Sequence, residues 1–322
     1  MMIGAGRRQR QRQGQGRRDG GSWKRFRRFV VVLAILAVAP PIFFHLRLKR
    51  FQQSQAKRCG WLSNPPLVCA HGGDSISTNA FPNTMSAFRT ALNSGVDCIE
   101  IDVSRSSDGV LFALHDRDLQ RISSNNTATL GYFTMKDIQG MKVAHLIQEQ
   151  FRDLEIPTVE EALTLVSKSV QQVILDAKVG PPSHGKGLAT DILSVIERTQ
   201  CRNCLVWAKS DALVRDIIQL SSNVPVGYIV MNDPSTGARS SLLRMRGASV
   251  VGVYHPLIDE NLVRISHGRN KKLYAWTVDD SESMQRMLFE HVDGIVTSRP
   301  ALLQVVMGDI RTQCLEDGFS LL

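Results

Sequence analysis

The chain has 322 residues, 43% of them apolar and 21% charged, a balance that supports one large core and excludes a disordered or fibrous protein. Its net charge of +9 is concentrated at one end: residues 1–58 hold 15 Lys and Arg against the single acid Asp19, and residues 59–322 sum to −5. Basicity is therefore a property of the tail, no basic groove is implied in the folded part, and no nucleic-acid partner is expected.

Residues 1–28 are rich in Arg, Gln and Gly and read as a disordered, cytosolic tail. From Phe29 to Leu46 runs the uncharged stretch FVVVLAILAVAPPIFFHL, whose 18 residues reach the short end of what spans a bilayer. Ala37-Val38-Ala39 resembles a signal-peptide cleavage site, but Pro40-Pro41 directly after it and the long basic lead favour an uncleaved anchor. Ten Lys and Arg precede the stretch and five follow it by Arg58. The positive-inside bias therefore puts the N-terminus in the cytosol and the remainder in a lumen or outside the cell. Residues 47–64 read as a stalk, 65–310 as the globular domain and 311–322 as a C-terminal tail.

The six cysteines are too few and too scattered to be the framework of the fold. Cys201 and Cys204 have CxxC spacing without a second pair or a His pair, which favours a local disulfide over zinc. The sequon Asn125-Asn126-Thr127 is compatible with the lumenal side of a membrane.

Within the domain, short β-type runs alternate with helical patterns. LVCA (67–70) is followed by a helix over Asn83–Ser94, whose N-terminal cap Asn83 suits. CIEIDV (98–103) and VLFALH (110–115) come next, then a helix over Thr158–Ser167, and VILDAK (173–178). LVWAK (205–209), VPVGYIV (224–230), SVVGVYH (249–255), KLYAWTV (272–278) and GIVTS (294–298) complete the series. Such alternation indicates a parallel sheet covered by helices, and a (β/α)8 barrel fits the length. The nine runs are one more than a barrel needs, and the link from Val103 to Gly109 is too short for a crossover helix, so which run is not a barrel strand stays open at this level.

Polar residues gather at the C-terminal ends of these runs, where a barrel places its active site: His71, Glu100, Asp102, His115, Asp176 and Lys178. Residues two apart in a strand share a face, so Glu100 and Asp102 lie together opposite Ile99, Ile101 and Val103. Two carboxylates on one face repel unless a cation lies between them, and a hard divalent ion such as Mg2+ or Ca2+ fits oxygen ligands, with Asp176 as a third. A histidine pair beside a metal-bound phosphodiester suits general acid/base chemistry, because the imidazole pKa lies near neutrality. Lys178 is placed to neutralise phosphate charge.

The segments AHGGD (70–74), NTMSAFRTALNSGVDCIEIDVSRSSDGVLFALHD (83–116), IPTVEEAL (156–163), ILDAK (174–178), AWTVDD (275–280) and DGIVTSRP (293–300) resemble, in order, the motif series of plant-type, membrane-anchored glycerophosphodiester phosphodiesterases. The resemblance implies a TIM barrel of the PLC-like phosphodiesterase type that acts as a phosphoric diester hydrolase. Glycerophosphodiesters such as glycerophosphocholine would be its substrates, with an alcohol and sn-glycerol 3-phosphate as products and a cyclic phosphate on the route. It further implies His71 and His115 as the acid/base pair, Glu100, Asp102 and Asp176 as ligands of one divalent cation, and Gly72 and Lys178 on the substrate side.

Three positions depart from the pattern. Gly72 stands where the family has arginine, Pro82 where it has glutamate, and Asp176 where it has glutamate. The first removes a bidentate phosphate donor that lysine does not copy in geometry. These departures, with the membrane tether, leave two alternatives: a phosphodiesterase acting on lysophospholipids, and a catalytically impaired barrel used as a binding module.

Overall fold

The computed structural model describes residues 20–77, 79–141, 147, 151 and 154–320, so most of the basic tail, residues 1–19, and the end of the C-terminal tail, residues 321–322, lie outside the described residues. It divides into two units, Met1–Ser54 and Gln55–Leu322. In the first, the expected apolar stretch lies within a helix, α1 (Gly20–Cys59), which is long and apolar enough to cross a membrane.

The second unit begins at Gln55, where residues 47–64 were expected to form a stalk. The reason is packing: Cys59, Trp61 and Leu62 are buried in the core, and a Cys59–Cys314 disulfide joins this segment to the last helix. That helix runs over Pro300–Glu316, so the first half of the expected C-terminal tail, residues 311–316, is helical.

Eight strands run parallel and close on themselves: β1 (Leu67–His71), β2 (Cys98–Arg105), β4 (Gln172–Ala177), β5 (Cys204–Ala208), β6 (Val226–Val230), β7 (Val250–Tyr254), β8 (Lys272–Trp276) and β9 (Gly294–Thr297). Closure is the β1–β9 pairing, Cys69 opposite Val296. The ninth run is β3 (Leu111–Ala113), which pairs antiparallel with the end of β2, Val103 opposite Ala113. A short link permits only this hairpin geometry, and it turns at Gly109 (φ 88°) with the Ser106 hydroxyl accepting from the Val110 N–H at 2.9 Å. The question left by nine runs is thus answered: VLFALH is an appendage of the barrel.

The outer layer is made of α2 (Met85–Asn93), α3 (Asp116–Ser123), α4 (Met135–Gln139), α5 (Val159–Val166), α6 (Leu188–Arg198), α7 (Asp211–Leu220), α8 (Glu260–His267), α9 (Ser281–Phe289) and α10 (Pro300–Glu316). Each longer helix buries one stripe. In α6, Leu188, Ala189, Ile192, Val195 and Ile196 face the strands at helical spacing. Thr158 begins α5 with a reciprocal capping box to Glu161.

Ile99, Ile101 and Val103 enter this helix-facing core, whereas Cys98, on the opposite face of β2, joins Ile174, Leu205, Trp207 and Tyr274 in a separate cluster inside the barrel. The alternation seen in CIEIDV therefore sorts the strand as expected, with Glu100 and Asp102 on the inner face above the plug. Phe81, Phe112, Leu114 and Leu119 form a smaller cluster under the β3–α4 excursion. All six cysteines are paired: Cys59–Cys314, Cys69–Cys98 and the expected local Cys201–Cys204.

Candidate active site

Strand register assembles the site. His71 ends β1 opposite Glu100 of β2, and Asp102 of β2 lies opposite Asp176 of β4. Donor atoms of His71, Glu100 and Asp102 lie within 4.8 Å of one another. His71, Glu100, His115, Asp176 and Lys178 line one cavity at the C-terminal mouth of the barrel, and Asp102, 1% exposed, is buried against Lys178.

Backbone and side chains hold each acid. Glu100 Oε2 accepts from the Gly72 N–H at 3.1 Å and lies 3.9 Å from His71 Nε2. Gly72 adopts φ 61° and Gly73 φ 83°, a region that glycine enters without penalty. A Cβ on Gly73 would meet the Ala87 carbonyl carbon at 2.7 Å, so this turn packs directly on α2. A Cβ on Gly72 would lie 3.2 Å from Pro82 Cβ. Two of the departures, Gly72 and Pro82, are thus neighbours in space: the missing arginine and the missing glutamate belong to one local change.

Asn83 does not cap α2; Thr84 does, accepting from the Ala87 N–H at 3.3 Å. Asn83, at φ 60° and 2% exposed, instead clamps Asp102. Its Nδ2 donates to Asp102 Oδ2 at 2.8 Å, and its Oδ1 accepts from the Asp102 N–H at 3.0 Å. A short polar side chain tolerates the left-handed backbone, and that turn aims it inward. Sequence reasoning missed this role because the partner lies 19 residues away on another element.

The Lys178 ammonium pairs with Asp102 Oδ1 at 2.6 Å and also contacts Asp176 Oδ2. Burial alone would favour neutral lysine, but Asp102, Asp176 and Glu100 overcome it and keep Lys178 charged, its pKa above the ordinary range. Burial pushes Asp102 up, yet the charge of Lys178 and of the nearby imidazoles holds it well below the usual carboxylate range. Glu100 goes the other way, raised well above its usual value by burial and by repulsion from Asp102 and Asp176.

Three buried carboxylates thus face one ammonium, and Asp176 Oδ1 is buried with no hydrogen-bond partner among the described residues. The uncompensated negative charge, the orphaned oxygen and the all-oxygen acids fit a hard divalent cation.

The two imidazoles are held in different tautomers. His115 precedes α3, and its Nδ1 accepts from the Arg117 N–H at 3.2 Å, so a neutral ring carries its proton on Nε2. The Ser298 hydroxyl donates to Asp279 Oδ2 at 3.2 Å and lies 3.4 Å from His71 Nδ1. With its one proton given to Asp279, Ser298 accepts from His71 Nδ1–H, which leaves Nε2 as the basic nitrogen. Asp279 and Ser298 stand in the quoted segments AWTVDD and DGIVTSRP, but spacing alone assigned them no role. Burial, reinforced by Lys178 and Arg117, lowers both histidine pKa values, His115 to about 4. His255 packs edge-on against Tyr254 and is not among the residues lining the cavity.

The glycerophosphoryl diester phosphodiesterase family matches residues 75–302. The chain belongs to this family. It is accordingly a phosphoric diester hydrolase built on the family's barrel. Glycerophosphodiester phosphodiesterase GDPD4 of Arabidopsis thaliana is 60% identical over 315 residues, covering 94% of this chain and 95% of its own. A glycerophosphodiester phosphodiesterase of Caldanaerobacter subterraneus is 30% identical over 241 residues, 74% of this chain and 96% of its own. Among solved structures, a glycerophosphoryl diester phosphodiesterase from Silicibacter pomeroyi superposes with a TM-score of 0.65 at 21% identity, covering 79% of this chain and 98% of that one. A phosphodiesterase of Oleispira antarctica, in complex with the product sn-glycerol-3-phosphate, gives 0.63 at 20% identity, covering 76% and 97%. These structural likenesses show the shared barrel.

Proposed function

We propose that the chain hydrolyses glycerophosphodiesters, glycerophosphocholine being one example, to an alcohol and sn-glycerol 3-phosphate, with His71 as general base and His115 as general acid. The observation that carries this reading is the convergence of the His71, Glu100 and Asp102 donor atoms within 4.8 Å beside the unpartnered Asp176 oxygen. Glu100, Asp102 and Asp176 would hold one divalent cation, Mg2+ or Ca2+. When bound, such a cation polarises a phosphoryl oxygen and offsets the charge that develops on it.

The residues divide the work by their proton positions. His71 Nε2, free of a proton, takes one from the 2-hydroxyl of the glycerol moiety, whose oxygen forms a bond to phosphorus. His115, entering the step as imidazolium, gives its Nε2 proton to the leaving oxygen as its bond to phosphorus breaks, releasing the alcohol and a cyclic phosphate and leaving His115 neutral. The pair then acts in reverse on water: His115 removes its proton, His71 reprotonates the 2-oxygen, and the ring opens to glycerol 3-phosphate. Asp279 and Ser298 keep His71 in the tautomer this needs. Lys178, with two of its three N–H donors directed at Asp102 and Asp176, has a third for a phosphate oxygen.

The reading extends to place. Residues 29–46 would cross a membrane once with residues 1–28 in the cytosol, and residues 55–322 would lie in a lumen or outside the cell. Three disulfides and an exposed Asn125 sequon support an oxidising, secretory compartment. Full-length protein in detergent, assayed with glycerophosphodiesters and Mg2+ or Ca2+, is expected to release glycerol 3-phosphate and to stop when the cation is chelated. His71→Ala and His115→Ala should each lower kcat by about 10²–10⁴-fold. Absence of cation-dependent release from any glycerophosphodiester rejects the proposal.

A further inference from the structure

The same cavity is also lined by Arg117, Lys209 and Trp276. Lys209 follows the end of β5, and its ammonium lies 5.8 Å from the centre of the Trp276 ring, which ends β8 across the mouth. Tyr254 packs against the same indole with ring centres 5.6 Å apart. A cation held over an aromatic face is a stabilising arrangement, and an indole is the best of the aromatic partners. Lys209 has no ion-pair partner among the described residues. Burial, then repulsion from Lys178, lowers its pKa from the ordinary lysine value, with Arg117 adding to the effect and Asp176 and Asp102 opposing it.

A quaternary ammonium head group is recognised by an aromatic face that it covers itself, and by nearby negative charge. Both are withheld here: of the two indoles lining the cavity, Trp207 is 2% exposed and packed in the barrel interior and Trp276 already carries a lysine over its face, and the lining carboxylates, Glu100 and Asp176, belong to the cation-holding set. Two further positive side chains, Arg117 and Lys209, line the cavity, whereas the charge of Lys178 is engaged by Asp102 and Asp176.

We propose that Lys209, seated over Trp276, selects glycerophosphodiesters whose leaving alcohol is an uncharged or anionic polyol and disfavours those bearing a trimethylammonium group. This rests on the glycerophosphodiesterase reading above and names the substrate class within it. A choline group entering the mouth meets like charge and must displace Lys209 from the indole; a glycerol or inositol group meets hydroxyl-compatible donors and no such conflict.

The test compares kcat/KM for glycerophosphoglycerol and glycerophosphocholine in the full-length enzyme, for the unaltered chain, Lys209→Met, Lys209→Arg and the double variant Lys209→Met/Trp276→Leu. The unaltered chain is expected to prefer glycerophosphoglycerol. Removing the Lys209 charge should shift the ratio toward glycerophosphocholine about tenfold, the scale of one like-charge contact in a partly wet site. Lys209→Arg should keep the original preference, and the double variant should lose the gain, because the choline-accepting face has gone. Ratios that agree within twofold across all four proteins overturn the inference while leaving the hydrolase reading intact. Loss of turnover on every diester in the unaltered chain removes both.

Discussion

Replacing Asn83 with alanine separates two roles for this residue that differ in size and in kind. As a helix cap it would contribute about 1 kcal/mol and nothing to cation binding. As the clamp on Asp102 it contributes one charge-assisted bond, at 2.8 Å, and one amide bond, at 3.0 Å, both buried. Losing these costs about 3–5 kcal/mol, since the Asp102 N–H and one carboxylate oxygen lose their partner away from water. Alanine at φ 60° adds about 1 kcal/mol of backbone strain.

At about 2–4 °C per kcal/mol for a domain of this size, the cation-free protein should melt roughly 8–24 °C lower. Because Asn83 also fixes the orientation of Asp102, Mg2+ or Ca2+ affinity measured by calorimetry should fall about 10–100-fold. Thr84→Ala, which removes the actual cap, is the control: a loss of about 1 kcal/mol with unchanged cation affinity. An Asn83→Ala protein that melts within 2 °C of the parent, at most about 1 kcal/mol on that scale, and binds the cation as tightly would refute the clamp and the site geometry built on it.

Three further outcomes follow from the same geometry. Gly72→Arg, which restores the family's residue, should not raise activity; it places a side chain at φ 61° with its Cβ 3.2 Å from Pro82, and thermal melting should show a loss of about 1–3 kcal/mol. The acid limb of kcat/KM, set by the His71 base, should fall below the ordinary histidine value near 6.5, because burial keeps that imidazole neutral to lower pH. For stability His115 contributes one sign and Glu100 the other: between about 6.5 and about 4 the unfolded chain binds the His115 proton more readily than the folded one, while the raised Glu100 pKa favours proton binding by the folded chain. The His115 contribution is read as a difference: as pH falls through that window, chelated His115→Gln should lose less melting temperature than the chelated parent.

The sequence by itself determined which face of each strand is apolar, because alternation with a period of two is a local property of the backbone. That is why Ile99, Ile101 and Val103 were separated from Glu100 and Asp102 without coordinates, and why the strand-end polar residues could be read as one set. It also showed the apolar stretch from Phe29 to Leu46 and the ordered motif series.

What it left open depended on partners distant in the chain. The sequence showed nine runs but not that β3 leaves the barrel as an antiparallel appendage, a fact decided by its pairing with β2. Asn83 satisfied the local rule for a cap, but the turn at Gly72 and Gly73 rotates it toward Asp102, and Thr84 caps in its place. Residues 55–64 looked like a stalk until burial of Trp61 and the bond from Cys59 to Cys314 tied them to the barrel. Ser298 against His71, and Lys209 over Trp276, join side chains from strands that are neighbours or opposites only after closure. Register between strands, set by packing the whole barrel, brings these groups within reach of one another, and no local pattern along the chain encodes it.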